Sequence, residues 1–349
     1  MSDRDEFEEL FARGVTDGLP VVPPTRERVA RAIAAGGRAA DELIAEVPPA
    51  YGRATVERIA VNAVMAGCRP EYLPVVIAGV EAMCDEAFDL HGLGGTTDAV
   101  APLFIINGPI RRTLDVNCGV GVFGPGWRAN ATIGRALRLV WANLGGARAG
   151  GISMSTFSQP GRYSYCIGEW EEQSPWAPLH VDYGFAPDDS TIAAFAGEPL
   201  LTVTASRSRT AEEVLATVAR SMETIGHHKL TGLGDTLVVL APEHAHVVAG
   251  DGWSKERVRE FLWQRLQRPV RDLVPGRDGA EGLADSALAA YPDAPRNETP
   301  VAKFRSADNL IVLVAGGTAG RFTAVVPGWS FPGAPTRLVM KKIGITPSR

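Results

Sequence analysis

Between residues 166 and 182 the chain gathers a thiol, several carboxylates and an imidazole: Cys166, then Glu169, Glu171 and Glu172, then His180 and Asp182. General acid–base chemistry needs ionisable groups whose surroundings push their proton affinities apart. Metal binding needs deprotonated thiol, neutral imidazole or carboxylate at close range. The spacing is neither that of a zinc knuckle nor that of HExxH, so it favours acid–base or nucleophilic work over a metal. Cys166, Glu169, Glu171 and His180 are therefore catalytic candidates. Cys68 joins them because Arg69 follows it, and a nearby guanidinium favours thiolate. The bland alternatives are a solvated acidic loop with one buried thiol and, for Cys68, a small buried hydrophobe. Against the first stand Tyr163, Tyr165, Trp170, Trp176 and Tyr183, aromatic rings suited to pocket walls. Cys84, beside Met83, reads as core, and Cys118 is open to either reading.

A second source of chemistry is the stretch from Asn117 to Gly146, NCGVGVFGPGWRANATIGRALRLVWANLGG. Its glycines, Gly124 and Gly126 among them, admit close approach of backbone to a ligand. A helix follows, bearing Ile133, Leu137, Val140, Trp141 and Leu144. Free N–H groups at such a helix start attract anions, and Arg128, Asn130 and Thr132 are placed to bind a carboxylate or phosphate. The string fits neither the Walker pattern nor the dinucleotide fingerprint, and a tight turn packing helix on sheet explains it equally well. Glu243 and His244 follow a second apolar run, and AGGTAG, with Gly316 and Gly317, follows a third. These too are candidate substrate-binding groups, since ligands in α/β proteins sit beyond strand ends. His91 in HGLGG is undecided. His227 and His228 at a helix end read as complements to its dipole.

Several elements must position these groups. The pattern predicts a short helix over Glu6 to Arg13, a proline-stiffened path through DGLPVVPPT, and a helix from Arg26 to Gly36–Gly37. Further helices start at Thr55 and near Val75, and PLFIINGP reads as a buried strand. After the irregular segment 147–190 the pattern restarts with the strand PLLTVTAS. A helix with the capping box Thr210–Glu213 follows, then the strand TLVVLAP, a helix capped by Ser254, and the buried strand within DNLIVLVAGG. The expected fold is α/β, a mixed or mostly parallel sheet flanked by helices, with two similar lobes and an N-terminal helical arm. Residues 1–50 form the arm, 51–190 a first lobe with an active-site loop over 147–190, and 191–349 a second lobe. A faint echo links NGPI with APEHA and GPGWRANATIG with GDGWSKERVRE. It reads as the repetition any α/β protein shows rather than as a duplication.

Composition bounds the partners. Of 349 residues, 45% are hydrophobic and 21% charged, an ordinary globular balance. A net charge of -5 argues against nucleic acid or an anionic membrane surface. Four scattered cysteines without CxxC suit free thiols in a reducing cytoplasm. The acidic opening MSDRDEFEEL is not a secretory leader, and no apolar run is long enough to span a bilayer.

The strings DGLPVVPPT, NAVMAGCRPEY, FGPGWRANATIGRA, CIGEWEEQSPWAPLH and PEHA together resemble a bacterial family met alongside proteins carrying a UGSC (selenocysteine or cysteine) motif. The resemblance covers most of the chain. It implies a thiol-dependent or redox small-molecule enzyme with a UGSC-type partner protein in a homo- or hetero-oligomer. This chain itself has no UGSC string. The expected activity is therefore that of a lyase or thiol-linked oxidoreductase on a small anionic substrate, with no cofactor named by the sequence. The alternatives are a non-catalytic scaffold subunit of a redox complex, and a metallohydrolase using a divalent metal on Cys166, His180 and an acidic residue.

Overall fold

The computed structural model describes residues 5–331 and 334–344; the first four residues of the acidic opening lie outside this range. The helices begin where side chains can satisfy their first amides. Asp5 caps α1 (Glu6–Ala12), Thr25 caps α2 (Arg26–Gly36), and Thr55 caps α3 (Val56–Ala66). Gly37 and Gly67 end α2 and α3 in the left-handed region, at φ 67° and 90°. The expected arm also carries strand: β1 (Leu43–Val47) and β2 (Gly52–Thr55) pair antiparallel. After α4 (Leu73–Met83) and the short α5 (Leu90–Gly95) comes β3 (Ala101–Asn107), buried along its whole length. A strand covered on both faces is apolar throughout, which is why PLFIIN shows no alternation. Then follow α6 (Ile110–Thr113), α7 (Arg128–Leu144), β4 (Cys166–Gly168), α8 (Leu179–Asp182) and β5 (Thr191–Gly197).

The second half runs through β6 (Leu201–Thr204), α9 (Ala211–Met222) with its Thr210–Glu213 capping box, and β7 (Thr236–Leu240). Next are α10 (Pro242–Gly250), α11 (Lys255–Arg265), and the small pair β8 (Gln267–Pro269) and β9 (Pro300–Ala302). The chain closes with β10 (Leu310–Val314), β11 (Phe322–Pro327), the two-residue pair β12 (Ser330–Phe331) and β13 (Ala334–Pro335), and β14 (Val339–Lys342).

Two compact units result, an α/β fold with mixed sheets. One holds residues 1–171, 178–199 and 336–349, and the other holds 172–177 and 200–335. The expected division at residue 190 differs from this one. β5 pairs with β3 along its full length and so belongs to the first unit. Helix–helix contact in that unit is close: a Cβ on Gly79 of α4 would lie 2.7 Å from a Leu137 methyl of α7.

The two sheets match strand for strand. The first has the order β4-β3-β5-β14 and the second β10-β7-β11-β6. In each, the first pair is parallel and the next two are antiparallel. In each, a helix lies along the parallel neighbour, α7 on β4 and α11 on β10. The echo between NGPI and APEHA therefore falls at equivalent strand ends, and it reflects a repeated supersecondary unit rather than generic α/β patterning. One strand is out of sequence. The second unit opens with its edge strand β6, whereas the first takes its edge strand, β14, from the far end of the chain.

This routing has a measurable consequence. Leu338 and Ile343 are buried, the Ile343 N–H donates to the Ser190 carbonyl at 2.8 Å, and Lys341 pairs with Asp85 at 2.7 Å. Truncation after Pro335 should therefore destabilise the first unit by about 3–6 kcal/mol, two apolar side chains at roughly 1.5–3 kcal/mol each. Urea unfolding will show it, and an unchanged midpoint would mean that β14 is a passive edge.

Candidate functional site

The carboxyl ends of the parallel pair β3 and β4 carry the site. β3 ends at Asn107, and Gly108 follows at φ 83°, where a Cβ would overlap the Asp189 carbonyl. That turn starts α6 and with it Arg111. β4 ends at Gly168, and the Glu169 N–H extends the ladder to the Ile106 carbonyl at 3.2 Å. Glu169 and Glu171 are thereby brought beside the end of β3, and α8 supplies His180.

Arg111 joins these pieces. Its side chain is only 1% exposed, and its guanidinium spends its donors on surrounding acceptors. Nε donates to the Gly108 carbonyl at 3.1 Å, Nη1 to the Glu169 carbonyl at 2.8 Å and the Cys118 sulfur at 3.4 Å, and Nη2 pairs with Glu171 Oε2 at 2.7 Å. The other Glu171 oxygen, Oε1, accepts the Gly108 N–H at 2.7 Å and the Asn107 amide at 3.1 Å. Glu169 is fully buried, and its Oε2 accepts the same Asn107 amide at 2.6 Å and the Leu179 N–H at 2.7 Å. The Glu171 charge is tolerable in so enclosed a place because it is paired and hydrogen-bonded in this way.

His180 completes the cluster. It is fully buried, with Nε2 3.3 Å from the Pro187 carbonyl. A carbonyl can only accept, so Nε2 carries a hydrogen. Nδ1 then faces Glu171 Oε1 at 3.8 Å, as a lone pair in the neutral ring or as N–H in the cation. It has no hydrogen-bond partner among the described residues, nor has the neighbouring Asn107 Oδ1. Two buried polar atoms thus remain available beside one carboxylate oxygen. Glu171 and Cys118 are the partly exposed members, and Arg111 reaches both from adjacent nitrogens.

Of the expected catalytic residues, the structure brings Glu169, Glu171 and His180 together. Cys166 lies in the helix–sheet interface, against Gly134 of α7, where burial pushes its thiol far up. The Cys68 thiol donates to the Thr132 carbonyl at 3.2 Å, and burial pushes it up to about 12, opposed only in part by Arg128. Cys84 is likewise raised to about 12 by burial. The groups expected to bind an anion at the mouth of α7 are engaged by the chain itself. Arg128 donates through Nε and Nη2 to the Gly67 carbonyl at 3.1 and 3.0 Å. Asn130 clasps the Asn117 N–H and carbonyl and the Cys166 carbonyl, which holds the 117–118 loop to β4. Thr132 Oγ1 bonds back to the Arg128 carbonyl. Gly124 and Gly126 lie in an exposed turn, the Gly124 N–H closing on the Gly121 carbonyl at 2.7 Å.

Glu243, His244, Gly316 and Gly317 gather at the equivalent strand end of the second unit, where the Ala315 N–H meets the Leu240 carbonyl at 3.2 Å. Glu243 pairs with Arg321 at 3.2 Å. His244 is fully buried, with Nδ1 2.8 Å from Thr323 Oγ1, and burial lowers its pKa. Gly316, at φ 107°, sits next to Ala241. Among the described residues no group of three or more His, Cys, Asp or Glu side chains is arranged to hold a metal ion.

Arg111 went unread in the sequence, whereas Asn107 stands in NGP, a strand-end turn that the sequence alone already offers as a pocket wall. The only signal for Arg111 was NGPIRR, an arginine pair directly after that turn. The packing around Cys118 is tight enough to test. A Cβ on Gly168 would lie 2.8 Å from the Cys118 sulfur and 3.2 Å from a Val116 methyl. Gly168→Ala should therefore cost about 1–3 kcal/mol in urea unfolding and displace the sulfur from Arg111. A variant as stable as the parent would show that the loop yields freely.

Comparison of the chain with models of known families, with characterised proteins and with solved structures found no match, so the chemistry has to be read from the side chains themselves.

Proposed function

We propose that the chain is a small-molecule enzyme performing acid–base or thiol-linked chemistry, of the lyase or thiol-addition kind, at the strand-end cluster of its first unit. One observation carries the reading: a single buried guanidinium joins the Cys118 sulfur to the Glu171 carboxylate while His180 Nδ1 faces that same carboxylate. Glu171 and His180 form an acid–base pair. A carboxylate backed by an imidazole can accept a proton and share the resulting charge. Cys118 is the thiol in this reading, in place of Cys166 or Cys68, because it is the one that combines partial exposure with a guanidinium donor. In the thiol reaction, the Cys118 proton, which lies toward the Val116 carbonyl at 3.4 Å in the resting protein, passes to Glu171. Sulfur bonds to one carbon of the substrate's activated double bond, the π pair moves to the neighbouring carbon, and Glu171 returns the proton there. Arg111 holds the anion at each stage.

The substrate class is a small carboxylic acid or carbonyl compound with an activated double bond or an acidic C–H. The resemblance to a family met alongside UGSC-motif proteins supports the thiol-linked class, and a UGSC-type protein is the partner proposed with it. The reading is tested by incubating the protein in D2O with a panel of 2-enoic and 2-hydroxy acids and following deuterium at carbon by NMR. Exchange into at least one acid is expected, and Glu171→Gln should slow it by about a hundredfold or more. No exchange with any acid or with a thiol-reactive enone, or exchange indifferent to Glu171→Gln, would overturn it.

A further inference from the structure

At the other end of β3 lies a cavity of about 590 Å³ that the strand-end chemistry does not use. Its walls include Arg138 and Arg148, Arg162 from the 159–163 turn, and the aromatic rings of Phe157 and Tyr163. The strand itself separates the two places. Asn107, its last residue, is in the catalytic cluster, whereas Arg162 Nε donates to the Val100 carbonyl just before its first residue. Seven strand residues span roughly 20 Å.

Three arginines face one carboxylate, Asp17, in the wall of this cavity. None of its three arginines meets a carboxylate at ion-pair distance among the described residues. Arg138 Nη2 donates to the Ala147 carbonyl at 2.7 Å and its guanidinium lies 4.8 Å from the centre of the Trp141 ring. Its Nη1 is buried with no hydrogen-bond partner among the described residues. Arg148 is held by the Ala142 carbonyl and Asn143 Oδ1, and Arg162 by the Val100 and Asp98 carbonyls and Ser153 Oγ. The carboxylate in the wall, Asp17, is taken on both oxygens by Arg135, at 2.8 and 2.7 Å. Burial together with the repulsion of Arg162 and Arg148, opposed in part by Asp17, brings Arg138 down to about 10. At the rim, Phe157 is 92% exposed and Tyr163 51% exposed, apolar surface that a bound ring would cover. The volume suits a metabolite-sized molecule.

We propose that this cleft binds a small organic oxyanion carrying a flat apolar group, its charged end on Arg138, Arg148 and Arg162 and its ring against Phe157 and Tyr163. Guanidinium forks recognise carboxylate and phosphate alike, so the shared chemistry is an oxyanion. The cavity lining has arginines and aromatics but no thiol, histidine or unengaged carboxylate, so its role is binding rather than reaction.

The test is calorimetric titration of the full chain with phenyl phosphate, benzoate and benzyl alcohol. At least one anion should bind at least about tenfold more tightly than the neutral alcohol, as expected for a charge-assisted hydrogen bond. The stronger of the two assigns phosphate or carboxylate. Arg138→Met and the more exposed Arg148→Met should each weaken the anion about tenfold, and Phe157→Ala a few-fold, in proteins whose circular dichroism matches the parent. Glu171→Gln should bind as the parent does, which separates this site from the proposed reaction centre. The proposal fails if neither anion outbinds benzyl alcohol, if both arginine variants bind like the parent, or if Glu171→Gln abolishes binding.

Discussion

A guanidinium removed from water must find acceptors for its donors, and in the first unit Arg111 finds them on three separate pieces of chain. The Gly108 carbonyl belongs to the turn after β3, the Glu169 carbonyl and Glu171 carboxylate to the segment after β4, and the Cys118 sulfur to the loop before α7. Removing one member of such a buried arrangement leaves its partners charged and dry, a penalty of about 3–5 kcal/mol. The same bonds that hold the strand ends together also hold a carboxylate and a sulfur on one guanidinium. Structure and chemistry are therefore not separable there. A substitution that relaxes the ion pair also relaxes the geometry a substrate would meet.

The repeated topology shows what is specific about that arrangement. Both units place a parallel strand pair, a proline-containing turn and a helix in the same relation. At the first strand end the scaffold carries an arginine, two glutamates, a histidine and a cysteine. At the second it carries His244 against Thr323 and a half-buried Glu243–Arg321 pair. The backbone thus offers two equivalent positions, and the fuller set of ionisable groups sits at one. The C-terminal strand β14 closes the sheet of that same unit.

Local features of this fold were legible in the sequence because their causes are local. Thr25, Thr55, Thr210 and Ser254 announce helix starts by accepting from the amide three residues on, and the buried strand 101–107 announces itself by unbroken apolarity. Glu169, Glu171 and His180 could be grouped because they are close in sequence. The rest depends on pairings across long stretches of chain. Arg128 reads as an anion ligand until Gly67, 61 residues earlier, presents a carbonyl to it. Asn107 reaches Glu171 across 64 residues, and nothing in the period of either segment foretells that contact. Cys166 looked reactive by neighbourhood, yet its position on β4 places it against Gly134 of α7. β14 was unreadable for the same reason, since its partner β5 lies some 150 residues before it.

Arg111 holding sulfur and carboxylate in one group is the contact on which the site rests. It is tested most directly by the rate at which iodoacetamide alkylates Cys118, followed by mass spectrometry in the parent, Arg111→Lys and Arg111→Met proteins. In folded proteins the account predicts a fall of about tenfold in Arg111→Met, the loss of one charge-assisted hydrogen bond to the reacting anion, with Arg111→Lys between the two. An Arg111→Met protein that stays folded and alkylates Cys118 as fast as the parent would contradict it.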